Sequence, residues 1–197
     1  MATVQTTAPA VEPLTLADVK AHLRIDSNEE DALLQSLILT SRLHVEVALG
    51  LALITQTWSC FFDRWPLALS SSVAALNLPL SPVKSVEAVR IYAEDGTFAS
   101  LPLSGFTFDL ASRTPRVIRR LGTQTTDPGR RMNGIEISVT AGFGATAADV
   151  PAPIRQALLL LVAHWYEHRD PGEIGSPDAR IPIPISALLA SYIPVRL

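Results

Sequence analysis

Two histidines stand four residues apart in the stretch PAPIRQALLLLVAHWYEHRDP, residues 151–171. At the helical period this spacing puts His164 and His168 on one face, as in the H-E-x-x-H helix that holds zinc. Here Trp165 follows the first histidine and Glu167 is displaced, so the general base of that motif is missing and no third ligand is evident. The simpler reading is a polar helix end, where His and Arg169 sit well beside the C-terminal dipole. Other chemical signatures are weaker still. No G-x-S-x-G elbow occurs. Gly142-Phe143-Gly144 lacks the third glycine and the following Lys-Ser/Thr of a phosphate loop, and reads as a strand-to-helix joint. Cys60 alternates inward on a strand, as a buried, inert thiol does. As the single cysteine it excludes an internal disulfide and suits a reducing compartment. No catalytic residue, metal ligand or cofactor is assigned.

The charges are more informative. The chain of 197 residues has a formal net charge of −3, with 48% hydrophobic and 18% charged residues. Net negative charge argues against tight non-specific binding to a phosphate backbone, and the apolar excess leaves room for a subunit interface. Arg113, Arg116, Arg119, Arg120, Arg130 and Arg131 fall between positions 113 and 131, with Asp127 as the acid among them. Residues 1–60 are instead acid-rich, with Glu29, Glu30 and Asp31 in a row. Such polarity fits contact with an oppositely charged surface, or a solvated edge.

The elements around these residues follow from period and punctuation. Thr15, with Asp18 three residues on, opens a short helix, and Ser27 with Glu30 precedes a long one over Glu29–Leu49, closed by Gly50. Leu34, Leu37, Ile38, Ser41, Val45 and Ala48 form its stripe. The period then becomes two. Ile54, Trp58, Cys60 and Phe62 face one way in a strand ended by Trp65-Pro66. Residues 67–75 read as a loop and Leu76–Leu80 as a short extended piece. Ser85–Ala93 pairs through the turn Glu94–Thr97 with Phe98–Leu103. Phe106–Leu110 and Arg116–Leu121 are further strands, and Ile135, Ile137 and Val139 alternate with Glu136, Ser138 and Thr140 in a half-buried one. The stretch 151–171 is a helix apolar on nearly every side, hence buried on nearly every side. Arg180–Ile185 alternates proline and isoleucine and should be extended.

The expected architecture is therefore α+β: short and long N-terminal helices, a central antiparallel β section, and a C-terminal buried helix with an extended tail. Residues 1–12 are expected to be a flexible arm, 13–190 a single domain with helical base 14–50 and 151–190 and β section 51–145, and 191–197 a tail. No signal peptide is expected at residues 1–12, and no unbroken apolar run approaches the roughly 18 residues of a membrane span.

Four stretches carry a resemblance: LTLADVKAHLRIDSNEEDALLQSLILTSR (14–42), LALITQTWSCFFDRWP (51–66), SVTAGFGATAADVPAPIRQALLLLVAHWYEHRD (138–170) and IPIPISALLASY (181–192). In this order they resemble the head–tail connector (adaptor) proteins of long-tailed phages and phage-like gene transfer agents. The resemblance implies a structural subunit rather than an enzyme, assembled in the bacterial cytoplasm into the neck of a virion or phage-like particle. About twelve copies would form a homo-oligomeric ring between the portal protein and a tail-side connector (stopper or tail terminator), away from any membrane. DNA would pass through the channel without sequence-specific binding. The arginine segment and Glu29, Glu30 and Asp31 become candidate subunit-interface residues. Tyr192, Ile193, Val195, Arg196 and Leu197, in the apolar tail, become candidate portal-docking residues. Two other readings stay open: a metal-dependent hydrolase using His164 and His168, and a nucleic-acid-binding module.

Overall fold

The structure, a computed structural model, describes residues 1–70, 74–168 and 183–192. The chain divides into two compact units, one of residues 1–9 with 55–142 and one of residues 10–54 with 143–197.

The first unit is built on two antiparallel sheets. Strands β1 (Ala2–Thr7), β2 (Gln56–Phe62), β4 (Val83–Tyr92), β5 (Phe98–Leu101) and β8 (Ile135–Ala141) form a five-stranded sheet in the order β1-β2-β8-β4-β5. Strands β3 (Leu76–Asn77), β6 (Phe106–Asp109) and β7 (Arg116–Arg119) form a three-stranded sheet in the order β3-β7-β6. In β8 the alternation works as expected on one side: Ile135, Ile137 and Val139 are fully buried, beside Cys60 and Phe62 of β2 and Val89 and Ile91 of β4. The other side departs from expectation. Glu136 and Ser138 are buried too, because β8 is central, flanked by β2 and β4 over its length.

Residues 1–12 are not a free arm. Ala2–Thr7 pairs with β2, from Ala2 opposite Phe61 to Gln5 opposite Trp58. Thr3, Val4, Thr6 and Thr7 suit an extended backbone, and β2 would otherwise leave its peptide groups as a bare edge. Trp58 Nε1–H donates to Gln56 Oε1 over 3.1 Å, and the Gln5 side-chain amide donates to the same oxygen, so side chains reinforce the pairing. Leu67–Ser70, expected as loop, is one helical turn (α3) whose Leu69 is buried and which packs on β7.

The second unit is helical: α1 (Leu16–Leu23), α2 (Asp31–Leu49), α4 (Ala152–Glu167) and α5 (Ile183–Leu189). Thr15 forms the expected capping box, its Oγ1 accepting from Asp18 N–H and Asp18 Oδ2 accepting from Thr15 N–H, both at 3.0 Å. The second S-x-x-E signature does not form one. Glu30 is the N-cap residue but makes no side-chain cap; its carboxylate accepts from the Tyr166 hydroxyl of α4 instead. Gly50 closes α2 in the left-handed conformation, as expected. The core gathers Leu34, Ile38, Val45 and Leu49 of α2 against Ile154, Leu158, Leu161 and Val162 of α4.

Three expectations shift here. Leu51–Ile54 belongs to this helical core rather than to the β section, with Ile54 bridging Gly144. In α4 one face is fully buried while Leu159, Leu160, Ala163 and Trp165 are half-buried. Ile183-Pro184-Ile185, expected to be extended, opens α5, because proline is tolerated in a first helical turn. Residues 169–171 of the expected helix, and residues 180–182 of the expected extended stretch, lie outside the described residues.

Helix α2 is, by length and composition, apolar enough to cross a membrane. Its core stripe is packed within the unit and carries a buried ion network. Arg42, 5% exposed, donates to Glu46 over 2.8 Å and to Glu12 over 2.7 Å, and Glu46 also accepts from Leu53 N–H at 2.8 Å. Burial opposes the Arg42 charge, but the Glu12 and Glu46 carboxylates more than offset it, so its proton is held more tightly than usual.

Candidate assembly surfaces

The six arginines do not form one free cationic face. Arg116 lies on β7 and grips Asp109 of β6; Ser112, which donates to the same carboxylate, and then Arg116 lower the Asp109 pKa to about 2. Arg119 is tied to the Ser70 carbonyl at 2.7 Å and to Thr125 Oγ1 at 2.8 Å. Arg120 reaches Thr107 Oγ1 at 3.0 Å. Arg130 lies over the Tyr92 ring, 5.2 Å from its centroid. Arg113 and Arg131 are exposed in the loops at either end of the segment. Sequence spacing showed the cluster, but not that Arg116 and Arg119 of β7, and Arg120 just after it, are bonded to neighbours in β6, α3 and the loops.

The acidic trio is also partly committed. Glu30 accepts from Tyr166, Asp31 pairs with Lys20 at 2.8 Å, and Glu29 is exposed. At the C-terminal end of the described chain, Tyr192 packs edge-on to Phe143, with centroids 6.4 Å apart, and joins the helical core's margin. Ile193, Val195, Arg196 and Leu197 lie outside the described residues.

His164 and His168 do come together, with ring centroids 4.5 Å apart. His168 Nδ1 lies 2.9 Å from the His164 carbonyl oxygen, so that nitrogen carries a proton and donates. Among the described residues no group of three or more His, Cys, Asp and Glu side chains is placed to hold a metal ion.

The β unit holds a polar cluster that the sequence did not announce. Glu136 Oε1 accepts from Ser59 at 2.6 Å, and its Oε2 accepts from Tyr92 at 2.7 Å and Arg90 at 3.1 Å. Burial alone would raise the Glu136 carboxyl; the three donors outweigh it and hold it below its ordinary value. The Arg90 guanidinium also covers the Phe98 ring at 4.9 Å.

Helix α2 carries the surface that sequence reasoning missed. Opposite its core stripe, Leu39, Leu43 and Val47 follow one another at i, i+4 and i+8, with exposures of 43%, 45% and 84%. Leu33, Ser36 and Thr40 continue the same side of the helix, which bears no charge. The signal was present as a second apolar period, out of phase with the first.

The sequence profile of the phage gp6-like head–tail connector family matches residues 13–96. A chain in the virion of a native gene transfer agent particle is 27% identical, covering 100% of this chain and 97% of that one, with a TM-score of 0.79. Together these findings support a head–tail connector protein of phage-like gene transfer agents. The same whole-length likeness holds for a chain in the neck of the empty gene transfer agent particle, computed with C6 symmetry (28% identity, 100% and 97% covered, TM-score 0.80). It holds again for the neck of the native particle, computed with C12 symmetry (27% identity, 100% and 97% covered, TM-score 0.78). No curated protein matches by sequence. The connector's helices α1 and α2 and strands β2 to β4 fall within the profile, while the likeness to the neck chains extends through α4 and α5. Nothing in these findings favours a hydrolase or a nucleic-acid-binding module.

Proposed function

We propose that this connector acts as one of about twelve copies in a ring in the neck of a phage-like particle, between portal and tail-side connector, with DNA passing through the channel. The observation that carries this reading is the whole-chain likeness to a chain of a neck computed with C12 symmetry. The supporting physics is the absence of a strong cation cluster among the described residues: most of the segment 113–131 is engaged internally, and net charge is −3, so the subunit would not hold passing phosphates. A closed ring needs a heterologous contact, one face of each copy meeting a different face of the next. Exposed cations of the arginine-rich loops, Arg131 foremost, supply one side, and the acidic start of α2 at Glu29 supplies the other. The tail beyond Tyr192 supplies the portal contact. Assembly takes place in the bacterial cytoplasm, before the particle is released.

The test is native mass measurement of the connector mixed with its portal, followed by imaging of the complex. A ring of about twelve copies seated on the portal is the expected outcome. A connector that stays monomeric on the portal would remove the reading.

A further inference from the structure

We propose that the outer face of α2 is the surface on which the adjacent copy of this connector packs. This inference rests on the ring reading and assigns its central contact. Leu39, Leu43 and Val47 form a continuous aliphatic ridge on the solvent side, and no charged residue interrupts it. A lone soluble helix places charged residues on that side. The ridge is also rigid. The Glu12–Arg42–Glu46 network and Leu53 N–H pin α2 to its unit along one flank of the ridge, so little order is lost when a partner docks.

The occupant follows from three observations. Beyond the ridge, the N-terminus of α2 carries the exposed Glu29, so an apolar centre has charge at one end, as at the rims of protein–protein interfaces. The solved chains similar to this one over its whole length sit in necks with C6 and C12 symmetry, where identical copies repeat about an axis. A permanent contact between identical copies is the class of interface that tolerates an uncharged aliphatic centre.

Val47 is the best probe because its side chain is almost entirely outside the core. Val47→Glu should leave the monomer's thermal midpoint and circular dichroism unchanged, while burying an unpaired charge in the ring contact. Ring formation on the portal should fall roughly tenfold or more. A second variant reads the surface without disrupting it. Val47→Cys adds an accessible thiol to a chain whose own Cys60 is buried and pushed up to about 11, hence slow to react. Alkylation at position 47 should be fast in the isolated subunit and slowed roughly tenfold or more in the ring. Val47→Glu rings that match wild type, or a position 47 thiol equally reactive in both states, would overturn the proposal and leave the ring reading intact. Wild-type connector retained on phosphatidylcholine vesicles, with Val47→Glu released, would assign the ridge to lipid and also overturn it. A wild-type neck with a single copy would remove the ring reading itself.

Discussion

At the scale of single residues, the most informative side chains are charged and inside. Glu136 is 5% exposed and would be unfavourable there without partners. Ser59, Tyr92 and Arg90 supply three donors from the strands on either side, so one carboxylate ties β2, β8 and β4 together. Glu136→Gln keeps the shape but removes the charge and turns one acceptor atom into a donor facing donors. The expected loss is about 1–3 kcal/mol of unfolding free energy at neutral pH. Because the folded-state carboxyl is held below its ordinary value of 4.5, its contribution is complete above that pH and disappears as pH falls through the lower folded value. The gap between wild type and variant, measured by urea titration, should therefore be widest at neutral pH and narrow on acidification below 4.5. A gap that does not change with pH would mean that the loss comes from shape or hydrogen-bond polarity and not from the Glu136 charge.

At the scale of elements, segments with one strong period were legible in the sequence and segments whose role depends on a partner were not. The stripe of α2, the capping box at Thr15, the hairpin at Glu94–Thr97 and the inward face of β8 follow from local chemistry alone. The strand β1 does not: its six residues, ATVQTT, alternate weakly, and only the open edge of β2 makes them a strand. Ser27-x-x-Glu30 failed as a cap because α2 starts later, at Asp31, which puts Glu30 itself at the N-cap, with its carboxylate bonded to Tyr166. The joint Ala141-Gly142-Phe143-Gly144 was legible as a joint, though not for its second glycine's reason. Gly142 has φ 136, which favours glycine. Gly144 is required by space: a Cβ there would lie 2.1 Å from the Asp149 side chain. That side chain is fixed, since Asp149 Oδ2 accepts from Thr146 N–H and Oγ1–H, both at 2.8 Å, and closes the turn that leads into α4. Gly144→Ala should displace Asp149 and lower the stability of the helical unit by about 1–3 kcal/mol in a denaturant titration. In the Asp149→Gly background, which removes the clashing Cβ as well as the carboxylate, the same change should add little, and a full penalty there would place the clash elsewhere.

At the scale of the whole molecule, assembly is the function, and its surfaces are the part least written into local pattern. The arginine run was visible in the sequence, but β7 commits much of it to internal bonds; the aliphatic ridge of α2 was overlooked because the stripe beside it already explained the helix. The chain's end poses the same question of internal against external use. Tyr192 meets Phe143 and borders the helical core, so it serves the fold. The residues after it, Ile193, Val195 and Leu197 with Arg196, are apolar with one cation, a composition suited to insertion into a partner's surface. Removing 191–197 would delete both roles together. Removing 193–197 alone separates them: the Phe143–Tyr192 contact remains, so the thermal midpoint should stay within about a degree of wild type, consistent with a change of only a few tenths of a kcal/mol. Rings should still close in the shortened protein, because the contact proposed for α2 lies on Leu39, Leu43 and Val47. What should fall is attachment of the ring to the portal, read by co-sedimentation of purified components and by the yield of particles with joined heads and tails. A shortened connector that binds the portal and joins heads to tails as well as the full chain would return the portal contact to some other surface. One that loses ring closure would instead place the tail between copies.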